Sequence, residues 1–221
     1  MAMNIHSIQR QFVLFFPSWL RIRIHRTVYF FFKIVVKVTR FRTGKGYWNK
    51  NIQRKGADGK AIHGESSICR ERVLPYCLGK GIDIGCGPDP VTQEVVQWDF
   101  PRGDAYDLSS FADESFDFLF SSHCLEHLFF QTAALAEWMR VIKVGGRMIL
   151  YLPHPDYYFN IGWGANGDHC HDCFPEQIIR KLRSSGYDFQ ILSLQEFGPA
   201  RRCGEWSFQL IVQKENLKKI E

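Results

Sequence analysis

A glycine-containing turn is the segment of the sequence best suited to holding a ligand. Residues 81–88 are Gly-Ile-Asp-Ile-Gly-Cys-Gly-Pro, an apolar strand that runs into Gly85-x-Gly87. Glycine lets a ligand approach the backbone where a side chain would collide, and in open α/β sheets ligands bind beyond the carboxyl ends of the strands. A dinucleotide fingerprint has glycine three residues after Gly87, where this chain has Pro90, so a nicotinamide-dependent dehydrogenase is disfavoured.

Four later segments extend this pattern, at residues 103–108, 113–118, 121–128 and 140–146. With the glycine turn, and in this order and spacing, they resemble class I S-adenosylmethionine-dependent methyltransferases of the small-molecule type. The resemblance covers residues 65–213 and leaves the first 60 residues unmatched. It has two departures: Asp89 stands where the family often has a third glycine, and only 16 positions separate Asp83 from Asp99. We therefore expect the usual helix after the first strand to be short or missing.

The resemblance implies S-adenosyl-L-methionine as cofactor and distributes its contacts along the strand ends. Asp83 and the backbone of the glycine turn would hold the amino-acid end, Asp99 the ribose hydroxyls, and Asp104 with the Ala105 amide the adenine. The end of the fourth family strand would lie beside the sulfonium. The predicted cofactor-binding residues are Asp83, Ile84, Gly85, Cys86, Gly87, Asp99, Asp104, Ala105, Ser121, Ser122 and His123.

Three histidines are the candidate catalytic bases. Methyl transfer from a sulfonium is an in-line displacement, so a base is required only where the acceptor loses a proton, and histidine can accept one near neutral pH. His123 is the first candidate by position, and His154 and His171 come from later loops. A structural role for His123 stays open, and His127 is interpreted as a cap or packing residue.

Two loops after the predicted fifth family strand bear on the acceptor and on metal binding. Residues 154–163 are rich in aromatic side chains, which would stack on a sugar or another flat acceptor, or form a packed surface lid. Residues 169–173 are His-Cys-His-Asp-Cys. So many ligands in five residues cannot easily surround one tetrahedral ion, and no second Cys or His pair follows at zinc-finger spacing. We predict no metal site and favour an acceptor-site loop that contributes His171.

These groups require an α/β scaffold to position them. Apolar strand patterns alternate with helical ones from residue 65 to residue 213, which predicts a Rossmann-like, mostly parallel sheet of about seven strands with helices on both faces. The last two strands, at 188–194 and 206–213, are expected to pair antiparallel at one edge.

A basic, apolar arm precedes this domain. Residues 1–60 carry 13 Lys and Arg against the single acid Asp58, a net charge of +12, whereas residues 61–221 have a net charge of −7. Within 11–42 the aromatic and aliphatic residues surround a helical stripe of cations, namely Arg23, Arg26, Lys33, Lys37 and Arg40. This pattern is typical of a helix in the interface of an anionic membrane, and packing on the domain or on a second subunit is the alternative.

The sequence therefore predicts two parts, an arm with linker at 1–60 and a methyltransferase domain at 61–221. Seven cysteines, an odd number, indicate free thiols in a reducing cytosol. The arm adds the prediction of peripheral attachment to the inner face of a membrane. The acceptor is expected to be a small or medium molecule such as a sugar, glycan or lipid intermediate, and nucleic acid is not favoured. The alternatives are a nicotinamide-dependent oxidoreductase and a non-catalytic module on this fold; the oligomeric state is left open.

Overall fold

The computed structural model describes residues 64–158, 169–198 and 205–217. The predicted arm, the boundary at residue 60 and the second half of the aromatic segment 154–163, residues 159–163, lie outside these residues. The helices of the described part are α1 (Glu65–Val73), α2 (Gln131–Val141), α3 (Pro155–Tyr158) and α4 (Pro175–Arg183). Its strands are β1 (Gly81–Ile84), β2 (Val96–Trp98), β3 (Phe116–Ser122), β4 (Ile142–Pro153), β5 (Tyr187–Phe197) and β6 (Ser207–Leu217).

The strands form one sheet in the order β2-β1-β3-β4-β6-β5. β1 pairs in parallel with β2 and β3, and β3 in parallel with β4. β6 enters between β4 and β5 and is antiparallel to both. The mostly parallel sheet and the antiparallel pairing of the last two strands are confirmed.

The described sheet has six strands rather than about seven. Between β2 and β3 the chain makes turns instead of a further strand: Asp104 Oδ1 accepts the Tyr106 amide at 2.9 Å, and Asp104 and Asp107 form an isolated bridge. Aspartate side chains that bond to nearby backbone amides favour turns over strand ladders, and this explains the lower count.

Helices cover both faces of the sheet, as predicted. Leu119 of β3 faces α2 and α4, where Trp138 and Ile178 join the larger core cluster. Phe118 and Phe120, on the opposite face of the same strand, pack with Cys69 and Val73 of α1. This alternation along β3, with nearly every position buried, is the pattern of a strand covered on two sides.

The chain between β1 and β2 contains no helix, as the short Asp83–Asp99 spacing predicts. Residues 85–95 make turns, and α1, which comes before the sheet in sequence, occupies that face. Arg70 of α1 holds the turns in place: its Nε donates to the Val91 carbonyl at 3.2 Å, and its guanidinium bonds the Pro90 carbonyl and pairs with Asp89. In the described part of the chain, no helix is long and apolar enough to cross a membrane.

Candidate active site

The turn after β1 brings the ends of β1 and β3 together and leaves an opening. Gly85 and Gly87 have φ angles of 75° and 55°, which L side chains rarely adopt. A Cβ at Gly85 would lie 2.6 Å from Cys124 Cβ, whereas a Cβ at Gly87 would meet no atom within 4 Å. Glycine at 85 therefore allows the segment after β3 to approach, and glycine at 87 leaves space where a ligand can approach the backbone.

Asp83 lies beneath this turn, and only one of its two carboxylate oxygens has a hydrogen-bond partner among the described residues. The side chain is fully buried, and its Oδ2 accepts the Val91 amide at 2.7 Å. Its Oδ1 is also buried and has no hydrogen-bond partner among the described residues. Burial raises the pKa of Asp83 to about 7, with the nearby Asp99 carboxylate contributing and the Val91 hydrogen bond opposing. A buried oxygen of this kind fits a positively charged or hydrogen-bond-donating ligand group.

Asp99 follows β2 and holds the turn from the other side. Its Oδ2 accepts the Gly87 amide at 2.8 Å and its Oδ1 accepts the Phe100 amide at 2.7 Å. The Gly87 amide, predicted to face the cofactor, thus donates to Asp99 in this structure. Two carboxylates, Asp83 and Asp99, border one short turn and make it favourable for a cation.

The other predicted cofactor residues near β1 and β2 are held by packing and by backbone hydrogen bonds within the protein. The Ile84 side chain lies in the core, and burial raises the pKa of the Cys86 thiol to about 11, so the thiol stays protonated. The loop after β2 is fixed by indole donors, with Trp98 bonding the Asp104 carbonyl at 3.1 Å and Trp138 the Ala105 carbonyl at 2.7 Å.

The end of β3 places its two serines inside and its histidine at the rim. Ser121 Oγ donates to the Ile84 carbonyl at 2.9 Å and so ties β3 to the end of β1. Ser122 Oγ is buried and has no partner among the described residues. His123 adopts a φ of 48° while its amide donates to the Tyr151 carbonyl, which turns the chain out of the sheet.

His123 lies between two carboxylates that are remote from each other in sequence. Its Nε2 is 2.9 Å from Ser207 Oγ and 3.7 Å from Glu65 Oε2, and its Nδ1 is 3.6 Å from Glu126 Oε1. The ring can thus hydrogen-bond the Ser207 hydroxyl and lies near two carboxylates. Sequence reasoning missed Glu65 and Ser207, because they come from the first helix and the last strand and carry no local signal.

His154 and His171 make contacts typical of packing residues. His154 is buried, accepts the Asp156 amide on Nδ1 at 3.3 Å and stacks on Tyr157 with ring centroids 4.4 Å apart. His171 Nε2 donates to the Phe129 carbonyl at 2.9 Å. Of the three candidate bases, His123 directly precedes Cys124, the residue that packs against Gly85.

The loop at 169–173 lies against the 3-10 turn Leu125–His127. The amides of Cys170 and His171 both donate to the Glu126 carbonyl, at 2.7 and 3.2 Å, and Cys170 Sγ donates to the His127 carbonyl. The cysteines of the described residues are free thiols. The loop is therefore positioned beside the segment that follows β3, although its function at an acceptor stays a prediction.

A family model indicates the kind of domain. Residues 89–150 match the model described as a methyltransferase domain. No curated protein sequence matches this chain significantly. The matched residues run from the turn after Gly87 into β4, so they include Asp99, Asp104 and the whole of β3.

Several solved structures share the fold at low sequence identity. A methyltransferase from Mesorhizobium loti, S-adenosylmethionine-dependent, has a TM-score of 0.51 and 16% identity over 72% of this chain and 100% of its own. A chain in the complex of the Haloferax volcanii Trm112 methyltransferase activator with a methyltransferase has a TM-score of 0.52 and 12% identity over 68% and 90%. The [4+2]-cyclase SpnF has a TM-score of 0.51 and 17% identity over 78% and 87%. At these identities the likeness concerns the fold.

Proposed function

We propose that this chain, which matches a methyltransferase-domain model over residues 89–150 and shares its fold with S-adenosylmethionine-dependent methyltransferases, uses S-adenosylmethionine to methylate a small or medium acceptor. The preferred acceptor is a sugar, a glycan or a lipid intermediate. The observation that carries the proposal is the buried, unpartnered Oδ1 of Asp83 beside the opening at Gly87.

The chain's own residues suit the cofactor's charge. The α-ammonium and sulfonium groups of S-adenosylmethionine are cationic. The turn offers the carboxylates of Asp83 and Asp99, and among the described contacts no basic side chain is hydrogen-bonded to either. The Asp99 oxygens each accept one amide and can accept a second donor, such as a ribose hydroxyl. When bound, S-adenosylmethionine supplies an activated methyl group, so the protein must chiefly orient the acceptor.

His123 is the residue we assign to removing the acceptor's proton. It lies at the end of β3, next to the segment that touches Gly85, and Glu65 is close enough to stabilise positive charge on the ring. The hydroxyl of Ser207 can fix the orientation of the imidazole through Nε2.

A membrane-associated acceptor is favoured by the charge distribution. The arm carries +12 and the domain −7, so the two parts differ in their preference for an anionic surface. We propose that the chain acts in the cytoplasm, attached peripherally to a membrane through residues 11–42, and that this attachment brings the domain to lipid-linked acceptors.

Calorimetric titration with S-adenosylhomocysteine and with NAD tests the cofactor. We expect micromolar binding of the homocysteine compound, no binding of NAD, and a loss of about 100-fold in Asp99→Ala, which removes two charge-assisted acceptors. Glu94→Ala, an exposed acid before β2, is the matched control and should bind normally. Binding of NAD instead would favour an oxidoreductase.

Transfer of a labelled methyl group separates an enzyme from a binding module. Full-length protein is incubated with labelled S-adenosylmethionine and with either a membrane-lipid extract or a soluble metabolite extract. Label in the lipid fraction supports the preferred acceptor, and label in the soluble fraction alone redirects it to free small molecules. Cofactor binding without transfer to either extract would contradict the enzymatic proposal for these acceptor classes.

A further inference from the structure

The side chain of Glu126 is buried without a hydrogen bond. It follows β3 in the 3-10 turn Leu125–His127, and its exposed fraction is 0%. Neither Oε1 nor Oε2 has a hydrogen-bond partner among the described residues. An isolated carboxylate in such a place is unfavourable unless it is protonated or compensated by a cation.

Three imidazole rings converge on Oε1 of this carboxylate. His123 Nδ1 lies 3.6 Å away, His127 Nε2 3.8 Å and His169 Nε2 3.9 Å. The ligand atoms of Glu126, His127 and His169 all lie within 4.8 Å of one another. Each distance from Oε1 exceeds that of a hydrogen bond, yet all three nitrogens lie within 4 Å of this one oxygen.

His127 and His169 differ in their exposure. His169 is buried, whereas the side chain of His127 is partly exposed. The rings of His127 and His169 meet edge to face with centroids 5.0 Å apart, so they approach the site from different directions.

The two segments that provide these side chains are held together by their backbones. The carbonyl of Glu126 accepts the amides of Cys170 and His171, and Cys170 Sγ bonds the His127 carbonyl. None of these hydrogen bonds involves the side chain of Glu126, His127 or His169. The site is thus assembled by the fold, which is the arrangement expected of a preorganised metal centre.

We propose that Glu126, His127 and His169 bind one divalent transition-metal ion, of which Zn²⁺ is the representative. Two imidazoles and one carboxylate are a ligand set of catalytic zinc sites, which keep a further position open. At bonds of about 2.1 Å, tetrahedral ligand atoms are about 3.4 Å apart, so separations that reach at most 4.8 Å must shorten by up to about 1.4 Å to close the site around an ion. The ion's charge compensates the buried carboxylate.

This site differs from the one rejected on sequence grounds. The segment 169–173 alone offers too many ligands on too short a loop, and only His169 from it takes part. The remaining ligands are consecutive residues, Glu126 and His127, that precede it by more than 40 positions. His123 stays outside the set, because among the described residues the ligand atoms that all lie within 4.8 Å of one another belong to Glu126, His127 and His169.

Metal titration of the full-length protein tests the proposal. The protein is dialysed against a chelator and titrated with Zn²⁺ by calorimetry, and with Co²⁺ by absorption spectroscopy. We expect one equivalent, with affinity lower by about 100-fold or more in Glu126→Gln and in His169→Ala. His171→Ala, on the same loop but bonded to the Phe129 carbonyl, should bind the ion as the wild type does. Cobalt should give tetrahedral bands without thiolate charge transfer.

Thermal unfolding keeps the test informative if a variant is destabilised. Zn²⁺ should raise the Tm of the wild type and leave that of Glu126→Gln unchanged, because only the former gains a ligand that binds the folded state. Equal Zn²⁺ binding by both proteins, a thiolate band with Co²⁺, or no binding by the folded wild type would overturn the proposal. S-adenosylhomocysteine binding by the same samples is a separate measurement, so failure of the metal site is distinguishable from failure of the methyltransferase function.

Discussion

At the scale of single residues, the polar atoms left without partners are the most informative. Asp83 and Glu126 are both fully buried, and between them they leave three carboxylate oxygens without hydrogen bonds among the described residues. Burial raises the pKa of each to about 7. Because such groups destabilise a fold that makes no use of them, each marks a place where a cationic ligand is expected.

The substitution Asp83→Asn should move stability and binding in opposite directions. The pKa of Asp83 is raised from 3.8 to about 7, so its stabilising contribution is fully present below pH 3.8 and is lost as pH rises through 7. Asparagine keeps an acceptor for the Val91 amide and removes the buried charge. Above pH 7 we expect the cofactor-free variant to be more stable, by on the order of 2–4 kcal/mol, and to lose S-adenosylhomocysteine binding. Urea denaturation and calorimetry measure the two effects.

Asp117→Asn is the control for that measurement, because the pKa of Asp117 is shifted in the direction opposite to that of Asp83. The pKa of Asp117 is lowered by its hydrogen bond with Lys143 and by the Lys80 amide, so its contribution is present above the ordinary value and is lost on acidification. This variant should be slightly less stable above pH 7 and bind the homocysteine compound normally. A destabilised Asp83→Asn protein at this pH would contradict the interpretation of Asp83 as an uncompensated buried charge.

At the scale of elements, α1 performs the work that the helix after β1 would otherwise do. It covers the face of β3 with Cys69 and Val73, and Arg70 fixes the residues that replace the missing helix. The next arginine, Arg72, pairs in two bonds with Glu205 just before β6. One helix therefore anchors both the cofactor turn and the last strand of the sheet.

Arg70→Met should loosen the turn without unfolding the domain. The change removes the hydrogen bonds to the Val91 and Pro90 carbonyls and the ion pair with Asp89. The side chains of Arg70 and Asp89 are 30% and 25% exposed. We expect a loss of about 1–3 kcal/mol, discounted for this exposure, and faster hydrogen exchange of the Val91 amide. Glu71→Met changes an exposed neighbour on the same helix and should leave exchange at Val91 as it is. Unchanged exchange in Arg70→Met would show that Asp83 alone holds this amide.

At the scale of the whole molecule, the charge is divided between the arm and the domain. Residues 1–60 have a net charge of +12 and the rest of the chain −7. An anionic surface would attract the first and repel the second, so membrane binding is expected to depend on the arm rather than on the domain.

Vesicle sedimentation of the full chain tests this arrangement. Replacing Lys33, Lys37 and Arg40 with Glu should weaken binding to phosphatidylserine vesicles by about 100-fold, because each cation near the surface contributes roughly 1 kcal/mol. Replacing Lys45, Lys50 and Lys55 with Glu changes the net charge equally, but in the predicted linker, and should have a smaller effect. Equal losses would indicate a diffuse electrostatic attraction, and no loss would favour the arm packing on the domain or on a second subunit.

The sequence by itself determined the class of fold and the segments that form the cofactor turn. The Gly85-x-Gly87 turn, the apolar strands and the short interval from Asp83 to Asp99 are local signals, because backbone conformation and burial period depend on adjacent residues. They predicted the parallel sheet, the helices on both faces and the missing helix after β1. About seven strands were predicted and the described residues form six, with turns rather than a strand in the loop after β2.

Only the tertiary structure decided which distant side chains meet. Glu65 and Ser207 lie far from His123 in the chain, and His169 lies far from Glu126, so no local periodicity connects them. Their contacts depend on β6 entering the sheet beside β4 and on a loop bonding through its backbone to the turn after β3. Short-range patterns specify strands and turns, whereas the convergence of their ends is set by the packing of the whole sheet, and this convergence creates the candidate active site and the proposed metal centre.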